Sequence, residues 1–162
     1  DVERDLVALA HEFAANEIER SRRYGHQFTV AYLDADNFKA VNDKFGHLTG
    51  DQVLINATKL IVSNLRNVDI VGRFGGEEFI ALLPETDAIR AYETAERIRK
   101  RIEQANLGDE TNEIHITSSM GVGCLETWTV DANELITTSD RAMYKAKELG
   151  RNRVYIAQAS DS

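Results

Sequence analysis

The dipeptide Gly75-Gly76 restricts the fold of this chain more than any other local feature. It lies between two β-prone runs, residues 69–74 and 78–83, and Pro84, the only proline, follows the second run. A tight turn of this kind needs positive φ, which glycine adopts at little cost, so the segment predicts a β-hairpin. The hairpin makes at least one strand pair antiparallel in a chain whose other strands are separated by helices. Apolar spacing predicts helices over residues 5–23, 38–44, 51–65, 87–105 and 132–149, and strands over 28–33, 114–125 and 153–157, the second of these strands loosened by Gly121 and Gly123. Single strands joined through helices, with one hairpin in the middle, predict an α/β fold. It is an α+β sandwich of the split-βαβ kind, with a mixed central sheet of about five strands flanked by helices.

The 162 residues argue for one domain, read as an N-terminal helix over 1–25 and a core over 26–158. No internal repeat or Pro/Ser-rich linker divides it. The chain carries 27 Asp and Glu against 19 Lys and Arg, a net charge of −8. That excess argues against DNA or RNA as partners, which call for a basic face. It leaves anionic small molecules open, because a bound cation reverses the local sign of charge. Cys124 is the only cysteine, so no intrachain disulfide forms, which fits a cytoplasmic setting. No run of about 18 uncharged apolar residues predicts a transmembrane helix. The start at Asp1 lacks a signal-peptide pattern and lacks Met, so the chain reads as a piece of a longer protein. His11, His26, His47 and His115 are scattered, none at zinc-ligand spacing.

Two acidic elements carry the chemistry. Glu77 and Glu78 directly follow the glycines, where a tight turn alone does not call for adjacent like charges. A solvated hairpin tip would explain them. So would a cation or phosphate site, where bare glycine backbone lets a ligand approach closely. Asp34 and Asp36 end the apolar run 28–33, and carboxylates at the carboxyl end of a strand commonly mark a site. If that strand pairs with the hairpin, Asp34 and Glu77 converge. A few carboxylates together with nucleotide phosphates make the usual Mg²⁺ arrangement. Asp36-Asn37 also reads as an N-cap whose helix would turn free N–H groups toward a phosphate, and Asp51 as the N-cap of the long helix.

Gly75-Gly76-Glu77-Glu78-Phe79 resembles the signature of the GGDEF domains, the diguanylate cyclases. Residues 34–51, from Asp34-Ala35-Asp36-Asn37-Phe38-Lys39 to Gly50-Asp51, resemble that family's other long motif with every spacing kept. Residues 144–152, Tyr144-Lys145-Ala146-Lys147-Glu148-Leu149-Gly150-Arg151-Asn152, resemble its C-terminal phosphate segment, so the likeness covers about residues 28–156. The resemblance implies a ferredoxin-like, nucleotide-cyclase-like sheet whose hairpin carries the Gly-Gly-Glu-Glu-Phe motif. It also implies a reaction in which two GTP condense to cyclic di-GMP and release two pyrophosphates, across a homodimer that holds one GTP in each domain. Mg²⁺ or Mn²⁺ would be held by Asp34, Glu77 and the backbone carbonyl of Ala35, and Glu77 or Glu78 would activate the ribose 3′-hydroxyl. Asn42 and Asp51 would read the guanine edge. Lys39, Lys147 and Arg151 would take the phosphates with the free N–H groups around Phe38, and His47 would support that loop.

Arg66-Asn67-Val68-Asp69 fits the family's Arg-x-x-Asp inhibitory site for the product, with residues 70–74 between it and Gly75, and Arg97 on the next helix would be a second contact. The family's usual opening, Asp-x-Leu-Thr-Gly-Leu-x-Asn-Arg-Arg, keeps only Leu6 and Leu9 in residues 4–13. That segment normally braces the nucleotide pocket and leads to an upstream sensor domain. Its reduction sets two readings beside each other: an active diguanylate cyclase, and a weak or inactive domain that binds cyclic di-GMP or GTP as a signalling module. A structural dimerisation domain with a solvated hairpin tip is the third.

Overall fold

The computed structural model describes residues 2–161. Five strands form one sheet: β1 Phe28–Ala35, β2 Ile70–Arg73, β3 Glu78–Pro84, β4 Ser118–Cys124 and β5 Arg153–Ile156, in the order β2-β3-β1-β4-β5. The central strand is β1, buried along almost its whole length, as an unbroken apolar run requires. It pairs antiparallel with both β3 and β4, β2 pairs antiparallel with β3, and β4 runs parallel to β5. The mixed sheet and its hairpin are those the sequence predicts.

The helices are α1 Val2–Tyr24, α2 Phe38–Phe45, α3 His47–Ser63, α4 Ala88–Gln104 and α5 Ala132–Glu148. Alternation along β1 divides the core between two faces. Val30 and Tyr32 join Ile80, Leu82, Leu135 and Met143 beneath α1 and α5. Leu33 and Ala35 join Phe79, Leu54, Ile61 and Ile98 beneath α3 and α4. On α1, Ala14 and Ile18 are buried but Leu9 is 59% exposed, and the side chain of Leu6 lies outside the described residues.

Three local expectations change. The strand predicted from residue 114 begins at Ser118, because the ladder of β1 ends where Ala35 meets Ser118. Ile114 and Ile116 are buried without joining it. Gly121 and Gly123 do not loosen that strand; they admit α5. A Cβ on Gly121 would lie 2.2 Å from the backbone of Ser139 and Met143, so only glycine lets the helix settle this close. The helix expected from Asp51 starts four residues earlier, at His47, because Gly46 at φ 88° turns the chain directly from α2 into α3.

Candidate active site

The pairing of β1 with β3 brings the two acidic elements together. Asp34 lies opposite Glu78 in the ladder, and the N–H of Ala35 donates to the carbonyl of Glu77 at 3.1 Å. Asp34 is 5% exposed. One carboxylate oxygen accepts from the Lys147 ammonium at the end of α5, and the other, Oδ1, is buried with no partner among the described residues. Burial pushes the Asp34 carboxyl up, further than Lys147 pulls it down, and Glu77 and Asp36 add to the push. An orphaned, buried carboxylate oxygen beside a second carboxylate is what a hard cation completes. Asp34, Glu77 and the Ala35 carbonyl therefore fit Mg²⁺, which takes one or two protein carboxylates and fills its remaining positions from water and phosphate.

The two glutamates of the turn differ. Glu78 accepts from the Tyr32 hydroxyl at 3.0 Å, whereas the Glu77 side chain has no hydrogen bond or ion pair among the described residues. Tyr32 also meets Phe74 edge to face, with ring centroids 6.2 Å apart, and the N–H of Phe74 donates to the Glu78 carbonyl at 2.7 Å. Tyr32 thus holds both ends of the Gly75-Gly76 turn. Burial pushes the Glu78 carboxyl up, and Asp34 and Asp140 reinforce this against the Tyr32 hydrogen bond. Asp140 is likewise raised by burial, and the same burial, reinforced by Glu78, raises the Tyr32 phenol. Tyr32 and Asp140 are missing from the sequence prediction. The signals were periodicities: Tyr32 shares a strand face with Asp34, and Asp140 stands two helical turns before Lys147.

The other predicted residues fall in three places. Phe38 is buried in the first turn of α2 and Lys39 is exposed beside it. Asn37 takes the N-cap position at φ 54° without a side-chain cap bond. The capping role expected of Asp36 is absent as well: its carboxylate turns instead to Thr117, Ser119 and the N–H of Asn152. Asn42 lies against Gly50, where an added Cβ would meet Asn42 Oδ1 at 1.8 Å; Asp51 follows in the second turn of α3, exposed, so it is not that helix's N-cap. His47 opens α3 and is exposed. Lys147 closes α5, and Arg151 is exposed just beyond it.

The third place is the far end of β2. Arg66 grips Asp69 with Nε at 3.2 Å and Nη2 at 2.7 Å, and Nη2 also donates to the Pro84 carbonyl and to Thr86 Oγ1. The Asp69 carboxylate holds the Arg66 guanidinium above its usual range. Arg97 donates to the side chain and carbonyl of Asn64, two residues before Arg66. This group is separated from the Gly75-Gly76 turn by the length of β2.

Residues 8–153 match the family described as "Diguanylate cyclase, GGDEF domain". Diguanylate cyclase A of Treponema denticola is 39% identical over 130 residues, covering 80% of this chain and 35% of that protein. The chain spans about a third of the length of the curated relatives it matches. The active GGEEF domain of a diguanylate cyclase from Vibrio cholerae superposes with a TM-score of 0.88 at 36% identity, covering 93% of this chain and 96% of that one. The GGDEF domain of DgcB from Caulobacter crescentus, solved in complex with c-di-GMP, has a TM-score of 0.84 at 30% identity, covering 90% and 86%. With its Gly-Gly-Glu-Glu-Phe turn set against Asp34, the chain belongs to the GGDEF family of diguanylate cyclase domains.

Proposed function

We propose that this domain is a diguanylate cyclase, joining two GTP into cyclic di-GMP with release of two pyrophosphates. In each half of the reaction the 3′-oxygen of one GTP attacks the α-phosphorus of the other. The bond to pyrophosphate breaks and the hydroxyl proton passes to a carboxylate of the site. Such transfers depend on positioning and charge neutralisation more than on covalent help. A bound Mg²⁺ or Mn²⁺ supplies that neutralisation, and Asp34, Glu77 and the Ala35 carbonyl would hold it. Glu78, fixed by Tyr32 and raised by burial, suits the proton-accepting role. Asn42 and Asp51 read guanine, while Lys39, Lys147, Arg151 and the uncapped start of α2 take the phosphates. Each domain carries one such set, so two copies must face each other. The reading places the domain in the cytoplasm, within a longer protein whose upstream part senses a signal.

The observation that carries this reading is the buried, unpartnered Asp34 Oδ1 beside Glu77. The test is incubation with GTP and Mg²⁺ at high protein concentration, with mass spectrometry for cyclic di-GMP and an assay for pyrophosphate. Both products are expected, and both should vanish in a folded Glu77→Ala variant. Absence of product from the wild type contradicts the reading.

A second reading, a signalling module that binds cyclic di-GMP, is favoured by the fork of Arg66 at Asp69. If the wild type makes no product yet binds cyclic di-GMP in an Arg66-dependent way, this reading replaces the first.

A further inference from the structure

The turn between α5 and β5 is closed on one side by its own chain: the N–H groups of Gly150 and Arg151 donate to the Lys147 and Ala146 carbonyls at 3.2 and 3.0 Å, and Arg153 Nε donates to the Arg151 carbonyl at 3.0 Å. Gly150, Arg151 and Asn152 have φ of 126°, 64° and 47°, three successive residues on the positive side. For Arg151 and Asn152 this conformation must be fixed by neighbours. On the Asn152 side, where α5 gives no hold, the neighbour is Asp36, 4% exposed just past the end of β1. Its Oδ2 accepts from the Asn152 N–H at 3.1 Å and from Thr117 Oγ1 at 2.8 Å, and its Oδ1 accepts from Ser119 Oγ at 2.6 Å. Its own N–H donates to the Thr117 carbonyl at 2.9 Å. A second hold comes from α4: Arg99 Nη1 donates to Asn152 Oδ1 at 2.8 Å, and Asn152 Nδ2 donates to Glu103. Between these clamps the Arg151 side chain is exposed, with no hydrogen bond or ion pair among the described residues.

A buried carboxylate is costly to keep unless its bonds do something an apolar residue would not. Here they tie the end of β1, which carries Asp34, to the turn that carries Arg151. We infer that Asp36 is a positioning residue: through the Asn152 N–H it fixes the 150–152 turn, and so sets Arg151 at one spacing from the Asp34–Glu77 end of the site. The ligand class affected is the polyphosphate of a nucleotide, not its base. The inference rests on the reading above, in which Arg151 meets phosphate.

The test compares affinities for 3′-deoxy-GTP with Mg²⁺, which lacks the attacking hydroxyl, and for guanosine, which lacks phosphate. Asp36→Ala should weaken 3′-deoxy-GTP binding about tenfold and leave guanosine within about twofold. Asp36→Asn should restore most of the loss, since its amide oxygen can accept from Asn152 while the Ser119 hydroxyl turns to accept from the amide NH₂. Arg151→Ala should cost about the same as Asp36→Ala, and the double variant little more. If Asp36→Ala does not fold, Thr117→Val with Ser119→Ala keeps the carboxylate, removes two of its donors and should lose about threefold for 3′-deoxy-GTP alone.

Equal losses for both ligands, or additive losses in the double variant, overturn the inference and leave Asp36 a folding residue only. Unchanged 3′-deoxy-GTP affinity in variants of a wild type that binds it overturns the inference alone. A wild type that binds neither ligand overturns the GTP reading, and the inference with it.

Discussion

Two charged regions stand at opposite ends of β2, and they differ in what they leave unpaired. At the Gly75-Gly76 end, Asp34 keeps a buried oxygen without a partner, the Glu77 side chain is free among the described residues, and burial raises Asp34, Glu78 and Asp140. At the Asp69 end, every visible demand is met: Arg66 is shared among Asp69, Pro84 and Thr86. The first region is incomplete as folded, so a cation and phosphates gain by filling it. The second is complete as folded, so a ligand there must displace existing bonds before it gains any. On the proposed reading, the first region works by chemical completion and the second by exchange.

The largest expected effect breaks the first region. Asp34→Asn keeps the shape but removes the charge that a cation needs, and pyrophosphate release should fall about 10³-fold. A variant retaining half its rate contradicts the assignment. The second region is broken by Arg66→Ala, which should weaken cyclic di-GMP binding about a hundredfold by calorimetry. Unchanged affinity would remove Arg66 from the product site. A smaller change sharpens the contrast between the turn's glutamates. Tyr32→Phe keeps the ring against Phe74 but frees Glu78, and should lower kcat about tenfold with little change in KM. Equal changes in both parameters would point to lost binding instead.

The smallest effect is on stability. The folded-state pKa values of Asp34, Glu78 and Asp140 lie above their unfolded values. Their contribution is therefore fully present below the unfolded values and is lost as pH rises through the raised ones. Glu96, lowered by its hydrogen bond from Arg99, acts oppositely: its contribution is present above the unfolded value and is lost as pH falls through the lowered one. Glu96 acts only below its ordinary value, so as pH rises from the ordinary values of the three raised groups, 3.8 for Asp34 and Asp140 and 4.5 for Glu78, the metal-free domain should lose thermal stability, and Asp34→Asn should flatten the loss. A thermal midpoint that rises with pH from there contradicts the raised values.

Much of this contrast was legible in the chain. Gly75-Gly76 predicted the hairpin, and once β1 pairs with β3, Asp34 and Glu77 must converge. Arg66 and Asp69 are close in sequence and bond as their spacing suggests. What was illegible lies in bonds whose partners are brought together only by sheet order. Tyr32 finds Glu78 across the β1–β3 ladder, and Asp36 finds Asn152 at the far end of the chain. Locally, Asp36 looks like a helix cap. In the fold, two hydroxyls from the β4 side and a backbone N–H outcompete that role because they satisfy a buried carboxylate more fully. The glycines of β4 looked like weak points in a strand, and only the approach of α5 gives them their purpose.

On the proposed reading, the Asp34–Glu77 end is completed by a divalent cation carrying GTP. Calorimetric titration of the wild type with 3′-deoxy-GTP, with and without Mg²⁺, tests it most directly. Binding should be tight and require Mg²⁺, and should lose that requirement in Asp34→Asn, where only the weaker contacts to base and phosphate remain. Wild-type binding that is equally strong without Mg²⁺ would contradict that reading.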